Sequence, residues 1–144
     1  MRRFATVLSL VLLLAFGLAV SARAQCSPIP GTGCAGQTNP VCGTPPMIGT
    51  NFVFRCPPTC FPSTSQFVVI GVPITPAPLP VPPMCAAGCT LGCQPLVVLP
   101  APGATVAIPN NPGLVGAQLC VQCLCQISGT ACFTASQATL VVIQ

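Results

Sequence analysis

Twelve cysteines, all at or after residue 26, sit in a chain with no Asp, Glu, Lys, His, Tyr or Trp. Such a chain has no acidic side chain with which to form an ion pair, but it can be stapled. An even number of cysteines in an exported chain points to disulfides, because thiolates are oxidised outside the reducing cytosol. Each bridge typically contributes about 2–4 kcal/mol, largely by restricting the unfolded ensemble. Connectivity stays open, since twelve cysteines allow on the order of ten thousand pairings by the usual counting rule.

Export is read from the first 24 residues. Arg2 and Arg3 precede an apolar stretch from Phe4 to Val20, and Ala22-Arg23-Ala24 forms a small-x-small cleavage site. Residues 1–24 are therefore expected to be a signal peptide, and residues 25–144 a single cysteine-rich domain with a loop-rich lead over 25–46. No second apolar run approaches the roughly 20 residues that span a bilayer, so no membrane span is expected in the mature chain. Localisation is expected to be secreted, extracellular or at the cell surface. Three of the four arginines lie in the leader, so the formal charge of +4 falls to +1, carried by Arg55. Without a basic patch, nucleic acid is not an expected partner.

The cysteines are Cys26, Cys34, Cys42, Cys56, Cys60, Cys85, Cys89, Cys93, Cys120, Cys123, Cys125 and Cys132. Three clusters, Cys56/Cys60, Cys85/Cys89/Cys93 and Cys120/Cys123/Cys125, raise thiolate–zinc binding as the competing chemistry. No His completes a mixed site and no spacing forms paired CxxC knuckles, so disulfides are expected and no metal or other cofactor. Cys125 and Cys132 flank Gln126–Ala131, a loop between two strand-like runs, and a bridge closing that hairpin is expected from spacing.

Pro and Gly punctuate the mature chain and leave no amphipathic helix of useful length. Cys85 to Cys93, whose cysteines recur every fourth residue, reads as a loop because Gly88 and Gly92 interrupt it. Strand-like runs rich in Val, Ile, Phe and Thr fall at 51–55, 66–72, 96–99, 105–108, 115–125 and 132–143, the last with a break near Ser136. Pro73 to Pro83 is expected to be extended, at an edge or crossing between sheets. Pro112-Gly113 suits the centre of a type II turn. The expected fold is all-β: a small, disulfide-rich, Ig-like β-sandwich with long Pro/Gly-rich loops.

The run Ile108-Pro-Asn-Asn-Pro-Gly-Leu-Val-Gly116, followed by Cys120-Val-Gln122, resembles an "IPN-x-P-x-LVG…Y-x-Q" pattern. That pattern occurs in a family of secreted bacterial proteins abundant in planctomycetes and myxobacteria. Gly31-Thr-Gly-Cys34 is similar to its "G-x-GC", Pro46 to Phe52 to its "P…G..F" strand, Gly88-Cys89-Thr-Leu91 to its "GC-x-L", and Ser136 to Ile143 to its closing strand. The resemblance implies a small exported β-sandwich and a Cys34–Cys89 pair, and it supplies no catalytic residue. This chain departs from the pattern in its ten additional cysteines and in Cys120, where an aromatic is usual.

Enzymatic function is not expected. General acid–base catalysis needs His, a carboxylate, Lys or Tyr beside the substrate, and a Ser or Cys nucleophile would lack its activating base. No catalytic residue is assigned. The expected function is that of a self-associating extracellular fibre, coat or matrix subunit, with the chain itself as partner. Edge strands usually carry charges that prevent edge-to-edge pairing, and this chain has almost none to place there. The alternative is a secreted binding module for a neutral polysaccharide or a cell-envelope protein. Its stacking platforms would have to come from Phe52, Phe54, Phe61, Phe67 and Phe133, and strand phenylalanines usually pack in cores.

Overall fold

The computed structural model describes residues 26–60 and 63–144. The expected signal peptide and Phe61 lie outside the described residues. The chain is all-β. Its strands are β1 (Cys26–Ile29), β2 (Val41–Cys42), β3 (Asn51–Arg55), β4 (Ser63–Pro78), β5 (Thr90–Leu99), β6 (Gly103–Ala107), β7 (Gln118–Ile127), β8 (Phe133–Ala135) and β9 (Ala138–Val142). They form two antiparallel sheets. The larger has the order β1-β9-β7-β4-β5, with β8 paired to β7, and the smaller has the order β2-β3-β6. The loop-rich lead thus supplies an edge strand to each sheet.

Alternation along the strands builds the core. In β3, Phe52 and Phe54 point inward while Asn51 and Arg55 stay exposed, as expected for a strand covered on one face. The two rings lie 5.4 Å apart. They pack against Val68, Val121, Cys123, Cys125 and Val141 of the larger sheet. Burying each phenylalanine contributes about 1.5–3 kcal/mol.

The central strand β7 is buried on both faces. Val121, Cys123 and Cys125 face the smaller sheet, whereas Cys120 and Leu124 join clusters on the opposite face. That second face is covered by irregular chain instead of a sheet. Cys34, Leu79, Met84 and Cys89 pack over it, and loop backbone is tied down by Cys34 N–H donating to Ala135 O at 2.9 Å and Cys85 N–H to Phe133 O at 2.9 Å. The molecule therefore has three layers: small sheet, large sheet and a stapled loop layer. Gly33 fits that third layer because its φ is +81° and a Cβ there would collide with the Ser136 carbonyl.

The proline-rich half of β4 follows from its position. Pairing of β4 with β7 ends at Gly71 opposite Cys120. Beyond it, Pro73 and Pro78 pair only with β5, and a strand with one partner tolerates missing N–H groups. The expected extension of this segment holds through Pro78, after which Pro80–Pro83 turns back towards β5. The break near Ser136 separates β8 from β9. Pro112-Gly113 departs from the expected type II turn. Gly113 is not among the positive-φ glycines, and Pro112–Leu114 is a 3-10 turn whose first residues are capped by the Asn111 side chain.

All twelve cysteines are paired. Cys34 is joined to Cys89 across 4.1 Å between Cα atoms, the pair implied by the family resemblance. The expected Cys125–Cys132 bridge does not form. Register sets Thr134 opposite Cys125, and Ile127 N–H meets Cys132 O two residues further along. Cys125 faces the inter-sheet core, where it meets Cys60, and Cys132 reaches Cys85 in the loop layer.

Candidate functional site

The features that stand out among the described residues are the disulfides, a buried polar clip and the edges of the two sheets. The sulfur atoms raised as thiolate ligands are consumed in disulfides, and a disulfide sulfur does not supply the anionic ligand zinc needs.

Cys26–Cys42 joins the outer strands of the two sheets, and Cys56–Cys123 and Cys60–Cys125 tie the connection between β3 and β4 to β7 of the larger sheet. The other three, Cys34–Cys89, Cys85–Cys132 and Cys93–Cys120, fix the loop layer and the β5 end of the large sheet. Cys93 lies on β5 and Cys120 on β7, which are separated in the sheet order by β4. Strands two places apart normally sit about 9.5 Å from each other, yet these Cα atoms are 5.4 Å apart. The approach is possible because β4 peels away from β7 after Gly71, letting the start of β5 swing in beside β7.

Gln122 occupies the junction this creates and is fully buried. Its Oε1 accepts from Gly92 N–H at 2.9 Å, and its Nε2 donates to Thr90 O at 2.9 Å and Ser136 O at 2.8 Å. Gly92 falls where the β4–β5 register is irregular, so its N–H has no ladder partner and needs the side chain. Ser136 completes the clip, its buried Oγ accepting from Cys123 N–H at 2.9 Å. Buried polar groups satisfied in this way fix one arrangement of the strands. Sequence reading placed Gln122 only within a motif. The signal for its role was a lone amide in the otherwise apolar run from Leu119 to Cys125.

The two sides of the sandwich end differently. On one side β1 and β2, the outer strands of the two sheets, are joined by Cys26–Cys42. On the other side β5 and β6 are the outer strands, linked by the short turn Pro100–Pro102 and by no disulfide. On β5 three consecutive apolar residues are open to solvent, Leu96 at 67%, Val97 at 48% and Val98 at 51%. Consecutive strand residues point to opposite faces, so both faces of this half of β5 lack cover. Leu96–Leu99 is legible in the sequence as a strand but not as a surface. Exposure depends on what other layers reach, which pattern alone does not encode.

Arg55 ends β3 beside an open groove of about 570 Å³ lined by Val53, Phe54, Cys56, Pro102, Gly103 and Thr105. Among the described residues the phenylalanines do not form a stacking platform. Phe52 and Phe54 are buried, and Phe67 packs edge-on against Phe133 with centroids 5.9 Å apart. Among the described residues no helix is long and apolar enough to cross a membrane.

Comparisons with protein families, curated proteins and solved structures gave no match to this chain. Six intrachain bridges make it a disulfide-stabilised protein of an oxidising compartment.

Proposed function

We propose that this chain is a non-catalytic, exported structural subunit that assembles with copies of itself into an extracellular fibre, coat or matrix. The observation that carries this reading is the contrast between the sides of the sandwich: one clipped by Cys26–Cys42, the other open along a β5 edge that is apolar and carries no charged side chain. Soluble proteins usually protect such edges with Lys, inward-pointing charges or cover. They also keep a net charge that discourages association. This chain has Arg55 as its only charged side chain after residue 24. All cysteines are satisfied within the chain, so assembly is non-covalent and does not use a leftover thiol.

The test is to export the mature chain into an oxidising compartment and image the undisturbed product by negative-stain electron microscopy, with sedimentation across a concentration series. Regular filaments or sheets are expected. A chain that stays monomeric at high concentration overturns the reading. A second reading, a binding module for a neutral polysaccharide or envelope protein, has the groove beside Arg55 as its support. Saturable retention on an insoluble polysaccharide, abolished by substitutions lining that groove, would favour it.

A further inference from the structure

We infer that copies of this chain meet through the open edge of β5, with the Leu96–Leu99 segments of two copies pairing antiparallel about a two-fold axis. This rests on the self-assembly proposed above and names one contact within it, the one that joins copies in pairs, since a two-fold contact closes on itself and does not alone extend a fibre. Strand β5 is the outer strand of the larger sheet, so half its backbone hydrogen-bonding groups face outward, and that is the template on which another strand adds.

The edge is not uniformly available. Pro95 has no N–H to donate, and Leu96 is the extra residue between the Gly71–Pro95 and Ile70–Val97 pairs. A proline and a bulge both discourage strand addition. They protect the Cys93–Pro95 part and leave the stretch after it as open ladder. The same stretch carries the exposed Leu96, Val97 and Val98. Available backbone and uncovered apolar side chains thus coincide in four residues.

A second copy is the occupant this surface fits. Neither β4 nor β5 carries a charged side chain, so the edge gives an acidic or basic partner nothing to pair with. A two-fold axis beside Val98 sets Val97 across from Leu99 of the partner subunit and Val98 across from its own copy, apolar against apolar throughout. Isologous contacts of this kind are the commonest in homo-oligomers. The β6 edge follows after three residues, Pro100–Pro102, and adds Thr105 and Ala107, both exposed, to the same side. Four residues of ladder and three side chains fall short of the ~800 Å² per partner of a standard interface. The contact is therefore reversible and concentration-dependent.

Sedimentation velocity on the oxidised chain over a concentration series tests this, comparing the unsubstituted protein with Val97→Lys and Val41→Lys. Val41 lies on β2, on the clipped side, and is 54% exposed, so it adds the same charge at a similar exposure. The expected result is association of the unsubstituted chain, at least a tenfold weaker association for V97K, and no change for V41K. Amides of Leu96–Leu99 should also exchange more slowly with deuterium as concentration rises. V97K associating like the unsubstituted chain overturns the β5 assignment and leaves self-assembly standing. Equal loss in both variants also overturns it, because added charge alone would then be responsible. An unsubstituted chain that never associates fails the broader reading itself. Should V97K fail to form its disulfides, the exchange measurement decides: no protection at Leu96–Leu99 in an associating chain overturns the assignment.

Discussion

Replacing Gln122 by Leu removes the amide and keeps nearly the same volume, so the cost isolates hydrogen bonding from packing. Three backbone groups depend on this side chain: Gly92 N–H, Thr90 O and Ser136 O. They are not equally exposed to its loss. Thr90 O also accepts from Gly33 N–H at 2.9 Å and keeps a partner. Gly92 N–H, in the irregular part of the β4–β5 register, and Ser136 O are left buried and unpaired. A buried group stripped of its partner costs about 1–3 kcal/mol, so the two together give about 2–6 kcal/mol. For a domain of this size that lowers Tm by on the order of 10 °C. The chain has no Trp or Tyr, so intrinsic fluorescence is a poor probe. Differential scanning calorimetry and denaturant unfolding followed by far-UV circular dichroism are suitable, with all disulfides kept oxidised. A Q122L protein within about 0.5 kcal/mol of the unsubstituted chain, well below the loss of even one such bond, would refute the reasoning. It would mean that the strand junction is set by Cys93–Cys120 and packing alone.

Gln122→Glu makes the same point through pH. A carboxylate in this buried site faces the Thr90 and Ser136 carbonyls, so the folded state favours the protonated acid and its pKa rises above the unfolded value of about 4.3. The folded state then binds the proton more tightly, and stability falls as pH rises from the unfolded pKa to the folded one; thermal unfolding at acid and neutral pH checks this. The unsubstituted chain should show a nearly flat Tm from acid to mildly alkaline pH, because its cysteines are paired and do not titrate and it has no Asp, Glu, Lys, His or Tyr. Thr139 pairs with Val121 in the inter-sheet core, and its buried Oγ1 has no partner; Thr139→Val should stabilise by ~1 kcal/mol, read by the same denaturant titration. Removing the Cys26–Cys42 bridge by double substitution to Ser opens a loop of 16 residues and should cost about 3 kcal/mol, with faster amide exchange in β1 as a second sign.

Composition and local pattern were enough to set the class of object this is. Proline and glycine density excluded long helices, and the Phe52/Phe54 alternation defined β3 because period-two burial is a local property of a pleated strand. The absence of titratable side chains bounded the chemistry without reference to any fold. Local signals failed wherever the answer depended on which distant strands became neighbours. Cys125 and Cys132 look like a pair along the chain, but one-residue alternation aims Cys125 at the opposite sheet, where Cys60 waits. Cys93 and Cys120 meet only because β4 parts from β7 after Gly71 while keeping its pairing with β5. Gln122 became a clip for the same reason, since the departure of β4 orphaned the Gly92 N–H it satisfies. The bare edge of β5 belongs with these. Leu96, Val97 and Val98 have the composition of core residues, and only the reach of the surrounding layers leaves them in water.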